Sequence, residues 1–131
     1  MVVPELIEGG CQCGAVRYRI VGQVFELNVC HCNDCQRQSG SAFGMSLVVA
    51  SDAVQLTRGE VQTFVKKTED GRDKLGAFCA TCGVRIYNAT DRLMSVKAGT
   101  LDDRSWLRPD GHYWVSRQQN WLQFETAEVK S

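Results

Sequence analysis

The sequence predicts an all-β fold: short antiparallel strands in packed sheets. Two observations carry this. Apolar residues recur with period two over short runs, and turn-forming Gly, Ser, Asp and Asn separate those runs at close spacing. A third observation, seven cysteines gathered into three tight groups, predicts how distant parts of the chain are tied together.

The elements follow in chain order. Val16, Tyr18 and Ile20 alternate with Arg17 and Arg19, the pattern of a half-buried strand. Val24 to Cys30 reads as a second strand after a Gly22-Gln23 turn. The run from Asn33 to Ser39 predicts one or two helical turns. Phe43 to Ala50 and Val54 to Thr57 are strands split at Ser51-Asp52, and Arg58-Gly59-Glu60 turns the chain into Val61 to Lys66. Thr68 to Asp73 is polar, contains Gly71 and reads as a loop. Lys74 to Phe78 and Val84 to Asn88 bracket a cysteine pair. Leu93 to Ala98, His112 to Ser116 and Trp121 to Phe124 complete the set.

Composition narrows the function classes. The 131 residues fit one domain spanning residues 1–131, with 44% hydrophobic and 23% charged residues, as in ordinary globular chains. Lys+Arg and Asp+Glu are both 15, so the clustered basic excess of a nucleic-acid binder is missing. No apolar run is long enough for a membrane span. Met1 to Gly10 has two acids and no Lys or Arg, unlike a secretory leader. A cytoplasmic location is expected.

Seven cysteines are an odd number, which a pure disulfide framework would leave unbalanced. A reducing compartment favours metal binding or catalysis instead. In Cys79-Ala80-Thr81-Cys82-Gly83, a Cys-x-x-Cys-Gly turn can aim two sulfurs at one ion, and the glycine lets the backbone fold back with N–H groups toward them. Cys11-Gln12-Cys13-Gly14 has the same Cys-Gly ending. Joining the two gives a closed four-thiolate zinc site that ties the N-terminal segment to a late hairpin. Cys30, Cys32 and Cys35 form a separate group with three sulfurs and an open fourth position, the arrangement of a reactive zinc. Water, hydroxide or an external thiol could enter there. Two zinc ions per chain are thus expected, and seven thiolates against two divalent cations would make the folded protein mildly acidic.

Other groupings stay open at this level. Cys11 and Cys13 could complete the second group and leave Cys79 and Cys82 as a free pair. Cys79 and Cys82 could also be small buried hydrophobes. Cys32 and Cys35 could oxidise to a disulfide, so the second site could be zinc-filled, empty or oxidised.

An ordered set of segments resembles the glutathione-dependent formaldehyde-activating enzyme family, which includes the relatives of centromere protein V. The set runs through Gly10-Cys11-Gln12-Cys13-Gly14-Ala15-Val16-Arg17-Tyr18 and Cys30-His31-Cys32-Asn33-Asp34-Cys35-Gln36-Arg37. It continues with Gly40-Ser41-Ala42-Phe43, Phe78-Cys79-Ala80-Thr81-Cys82-Gly83, Gly99-Thr100-Leu101-Asp102 and His112-Tyr113-Trp114-Val115-Ser116. The resemblance implies an all-β fold with a structural zinc on Cys11, Cys13, Cys79 and Cys82 and a second zinc on Cys30, Cys32 and Cys35. It implies a carbon–sulfur lyase that joins formaldehyde and glutathione into S-hydroxymethylglutathione, glutathione being a co-substrate and the partner a small thiol–aldehyde adduct. A non-catalytic zinc domain that binds a small thiol or a protein, or a thiol redox or metal sensor, is the alternative.

The remaining polar and aromatic residues read more plainly. His31 lies between two ligand cysteines and should point away from their metal, into a turn or the surface. His112 reads as a satisfied structural histidine. Arg37 and Ser39 could bind a carboxylate of a peptide-like thiol, against a solvated Arg and a turn Ser. Phe43 either walls the open site or faces the core. Gly99 to Asp102 reads as a turn with a capping Asp, and Trp106, Trp114 and Trp121 as core or rim packing.

Overall fold

A computed structural model describes residues 1–68 and 71–124, together with the backbone of residues 129–130. Its described residues are mostly β. A three-stranded antiparallel sheet holds β1 (Ile7–Gly10), β2 (Arg17–Ile20) and β5 (Val54–Arg58) in the order β1-β2-β5. The larger sheet adds β3 (Val24–Cys30), β4 (Gly44–Ala50), β6 (Gln62–Lys67), β7 (Asp73–Phe78), β8 (Arg85–Ala89), β9 (Leu93–Lys97), β10 (Gly111–Tyr113) and β11 (Val129–Lys130). Its order is β11-β10-β3-β4-β9-β8-β7-β6. One helix, α1 (Asn33–Ser39), links β3 to β4.

The period-two pattern explains the core. In β2, Tyr18 and Ile20 are buried while Arg19 faces solvent. They pack with Ile7 and Val16 against Leu27, Leu47, Val49, Ile86 and Val96 from the larger sheet. In β4, residues Ser46 to Val49 are all buried, because this strand sits between β3 and β9 and is covered on both faces. At the far edge β6 is exposed along its whole length, and its paired lysines, Lys66 and Lys67, suit an unpaired edge.

The strand expectations differ from the structure in identifiable places. β1 does not stand out in the sequence because Gly9 and Gly10 carry no apolar signal. Gly9 is opposite Tyr18, and a Cβ there would fall 2.6 Å from the tyrosine Cζ, so the glycine is the space the ring occupies. Tyr18 donates to Thr100 Oγ1 (2.6 Å), which itself donates to the Lys97 carbonyl (2.7 Å). Burial pushes the Tyr18 hydroxyl up to about 12. Trp121 to Phe124 is not a strand. Leu122 N–H donates to Gln119 O and Gln118 Nε2 to Leu122 O, which curls the segment, and the edge beside β10 is taken by β11. The expected strand from His112 ends at Tyr113, because Trp114 turns left-handed (φ 57°). β10 also runs parallel to both β3 and β11, an exception to the antiparallel rule. Of the expected loop, Glu69 and Asp70 lie outside the described residues. Thr68 and Arg72 are joined across it (Thr68 N–H to Arg72 O, 2.8 Å), and Asp73 already begins β7. No helix among the described residues is long and apolar enough to cross a membrane.

Two candidate metal centres

The first cysteine group is built by two similar knuckles. Cys11 and Cys13 lie between β1 and β2, and Cys79 and Cys82 between β7 and β8. In each, the first cysteine's N–H reaches past the turn to a valine carbonyl, Val16 (3.1 Å) and Val84 (3.0 Å) respectively. Each knuckle closes on a glycine with nearly the same φ, 80° at Gly14 and 79° at Gly83. The four sulfurs lie within 4.8 Å of one another, with Cys11 and Cys13 at 3.6 Å and Cys13 and Cys79 at 3.8 Å. A tetrahedron of sulfurs around zinc has edges of about 3.8 Å. Backbone N–H groups also point at the sulfurs: Val16 to Cys11 (3.2 Å), and Thr81 (3.4 Å) and Cys82 (3.5 Å) to Cys79.

The titration of these thiols states the same fit in energetic terms. The N–H groups of Val84 and Cys13 hold Cys82 down to about 6. Against the Ala15 N–H, which favours its thiolate, desolvation and the neighbouring sulfurs push Cys13 up to about 11. Four sulfurs at this spacing repel one another as thiolates, and a divalent cation among them relieves that repulsion. The donor set and spacing therefore suit zinc.

The second group stands at the junction of β3 and α1. Cys30 ends β3, Cys32 is the N-cap of α1 and accepts from Cys35 N–H (3.3 Å), and Cys35 lies in the first turn. Gly40, left-handed at φ 62°, closes the helix. Gly44 in β4 lets α1 come close, since a Cβ there would be 3.0 Å from the Cys35 Cβ. The three sulfurs lie within 4.8 Å of one another. The Cys35 thiol, donating to Cys30, holds Cys30 down to about 6, with help from the Cys32 N–H. Cys35 is raised in turn by Cys30 and by burial. Three donors suit zinc with one position left for another ligand.

His31 is not at the surface, as the sequence suggests, but fully buried. Flanking cysteines face the metal, so the intervening side chain is driven to the opposite side, and that side is the interior. Its Nε2 shares a 3.1 Å hydrogen bond with Nδ1 of His112, and the two rings stack at 5.4 Å among Phe43 and Phe124. Burial lowers the proton affinity of both. His112 takes the structural role expected of it. Phe43 packs on this histidine pair. The loop is further tied by His31 N–H to Tyr113 O (3.0 Å) and by Gln36 Nε2 to the carbonyls of His31 (2.8 Å) and Arg117 (3.0 Å).

Cys32 and Cys35 line a cavity of about 690 Å³ between α1, the β6–β7 hairpin, β8 and Trp114. Six cationic side chains line it, Arg37, Lys66, Lys67, Arg72, Lys74 and Arg85, against one carboxylate, Asp34. Asp34 is paired with Lys66 (2.9 Å), and Lys67 with Asp73 (2.9 Å). Behind the cavity Gln38 Oε1 accepts from Lys97 Nζ (2.8 Å) and Asn88 Nδ2 (3.0 Å), and Asn88 Oδ1 accepts from Arg85 Nη2 (2.6 Å). Burial lowers the proton affinity of Lys97 and Arg85, and Cys35 opposes that shift in both. Lys74, Arg85, Lys97 and Asn88 carry no motif in the sequence. The signal was their outward register on strands that flank a cysteine turn. Ser39 is a turn residue, donating to Gln36 O and accepting from Ser41 N–H, while Arg37 is exposed on the cavity wall. Asp102 is not a cap but an ion partner of Arg17. Trp106 packs on the core, whereas Trp114 and Trp121 are exposed.

A family model described as glutathione-dependent formaldehyde-activating enzyme matches residues 6–117, and the chain belongs to that family. A protein of Halomonas elongata, provisionally named as such an enzyme, is 29% identical over 94% of this chain and 83% of its own length. A Penicillium rubens protein with the same provisional name is 27% identical over 81% of this chain, which spans 59% of that relative. A crystal structure of a Rhodobacter sphaeroides protein shares the fold, with a TM-score of 0.58 and 18% identity over 78% of this chain and 91% of that one.

Proposed function

We propose that the protein is a zinc-dependent carbon–sulfur lyase acting on the glutathione adduct of formaldehyde or a related aldehyde. The observation that carries this reading is the three-sulfur group opening into a cationic cavity, in a chain whose family is named for that activity. Cys11, Cys13, Cys79 and Cys82 would hold a structural zinc, and Cys30, Cys32 and Cys35 a second one. The second ion would lower the proton affinity of a thiol brought to its open position.

The chain's own groups do the rest. Lys74, Arg85 and Lys97 surround Cys30 and Cys35 with positive charge, which favours an anionic thiolate over a neutral thiol at that end of the cavity. The cavity confines thiol and aldehyde together, converting an encounter in water into a reaction between neighbours. In the addition, the sulfur lone pair forms the C–S bond, the carbonyl π pair moves to oxygen, and that oxygen takes a proton. The thiol supplies an equivalent proton on ionising, so the sum is thiol plus aldehyde giving hydroxymethyl thioether.

NMR exchange spectroscopy on glutathione and formaldehyde tests this directly. Zinc-loaded protein is expected to accelerate interconversion over buffer. An unchanged rate alongside measurable glutathione affinity would convert the reading to a thiol-binding domain. Zinc release from Cys30, Cys32 and Cys35 under mild peroxide, with no acceleration, would make it a sensor.

A further inference from the structure

The reading above concerns the sulfur end of the ligand, and the opposite wall of the cavity has its own construction. Arg85 is fixed on three sides. Its guanidinium lies 4.9 Å over the ring of Phe64. Its Nη2 donates to Asn88 Oδ1 (2.6 Å). It also crosses Gly76, where a Cβ would stand 2.8 Å from Nη2 and 2.5 Å from the Phe64 Cζ. Any side chain at position 76 would dislodge this arrangement, so the strand gives up a side chain to seat the guanidinium.

No carboxylate balances this fixed charge. Arg85 forms no ion pair among the described residues, and its Nε is buried without a hydrogen-bond partner. Lys74, on the same wall, likewise forms no ion pair among the described residues. An oriented, partly desolvated guanidinium without an acid is costly unless an anion meets it. The cavity offers nothing comparable for a cation. Its one carboxylate, Asp34, is committed to Lys66. An ammonium group on a ligand would enter an excess of positive charge.

We propose that Lys74 and Arg85 form an anion subsite that makes this protein selective for thiols bearing several anionic groups, carboxylate or phosphate, and no ammonium, in preference to a zwitterionic thiol such as glutathione. The inference rests on the reading of Cys30, Cys32 and Cys35 as the thiol-binding site. It adds a charge rule for the far end of the ligand.

Titration calorimetry on the zinc-loaded protein with four small thiols tests it. Mercaptosuccinate carries two carboxylates, 3-mercaptopropionate one, 2-mercaptoethanol none, and cysteamine an ammonium. Affinity should fall in that order, with a gap of about 100-fold between the ends at low salt that narrows as sodium chloride is added. Arg85→Gln should weaken mercaptosuccinate about tenfold and leave 2-mercaptoethanol within about twofold. Lys74→Gln should act in the same direction, and Arg85→Lys should recover part of the loss. Comparing variants thiol by thiol cancels the differing acidities of the thiols themselves. Equal weakening of all four thiols would overturn the proposal, because it would make Arg85 only a counter-charge to the sulfur centre. Equal affinity for all four on the unaltered protein would also overturn it, while leaving the thiol-binding reading intact. Binding of none would remove that reading as well.

Discussion

The two cysteine groups stabilise negative sulfur by different means. Around Cys11, Cys13, Cys79 and Cys82 the help comes from backbone N–H groups, each fixed by a knuckle that two strands hold shut. Around Cys30, Cys32 and Cys35 there is a single such contact between 3.2 and 3.5 Å, from Cys35 N–H, and the help comes from the side-chain charges of Lys74, Arg85 and Lys97. Backbone dipoles are short-ranged and cannot move without unfolding the turn. Side-chain charges act over a wider radius and leave the space between them open. The first arrangement suits an ion that stays, and the second a position where ligands come and go.

The comparison breaks most sharply on cysteine variants. Cys79→Ser should remove the metal from the first group and, with it, the link between β1–β2 and β7–β8. A structural zinc contributes enough that the expected loss is on the order of 5 kcal/mol or more, as large as the stability of many domains. Cys32→Ser should lose the second metal alone and keep the fold. Circular dichroism melts with metal analysis of both variants decide, and equal unfolding in the two would remove the distinction.

The closed group was legible in the sequence because its chemistry is local. A Cys-Gly ending at Cys13-Gly14 and at Cys82-Gly83 states both the ligand and the turn that aims it. Most strands were legible for the same reason, as in the Val16-Tyr18-Ile20 alternation. What the sequence hid is non-local. β1 reads as Gly-rich loop until Tyr18 is seen lying over Gly9. The parallel pairing of β10 with β3, which puts His112 beside Val29 and brings it to His31, has no signature in either segment. The cavity is assembled from α1, β6, β7 and β8, so its cationic excess disappears in a chain whose charges sum to zero. The alternation that identified β8 was right about its core face and silent about Arg85 and Asn88 on the other.

A smaller effect sharpens the point that the open group, though chemically exposed, is structurally anchored. His112→Phe keeps the ring volume but deprives the fully buried His31 Nε2 of its partner. Leaving a buried polar group unpaired costs about 2 kcal/mol. The melt should fall by that amount. Metal at Cys30, Cys32 and Cys35 should weaken while metal at the first group holds, as read by stepwise chelation. Weakening at both groups, or at neither, would contradict the anchoring role.

Within the open group the sulfurs themselves are unequal. In protein stripped of the second metal only, Cys30, held down to about 6, is mostly thiolate at neutral pH, whereas Cys35 is held protonated by Cys30 and burial. Iodoacetamide at pH 7 should therefore modify Cys30 before Cys35, as mapped by peptide mass spectrometry. Lys97→Met should slow that reaction by removing a neighbouring cation, without a matching loss of stability. Reaction at Cys35 first would reverse the assignment of charge in this group.

The smallest expected effect lies beside the closed group, where the surroundings are held by several links. Arg17 on β2 grips Asp102 through both carboxylate oxygens, one at 2.9 Å from Nη1. The same segment is joined to β1 by Asp102 N–H to Glu8 O (2.9 Å) and by the bridge of Gly9 with Leu101. The Arg17 hydrogen bond lowers the proton affinity of Asp102. A carboxylate with a depressed folded value adds stability above the ordinary aspartate range, and that stability is lost as pH falls through the folded value. Both side chains are substantially exposed, so solvent screening limits the pair to about 0.5 kcal/mol. Asp102→Asn should cost that much at pH 7 and nothing near pH 2, with metal content unchanged. If the variant instead released the first metal, the knuckle would depend on this ion pair, and the closed group would owe its permanence to side-chain charge just as the open one does.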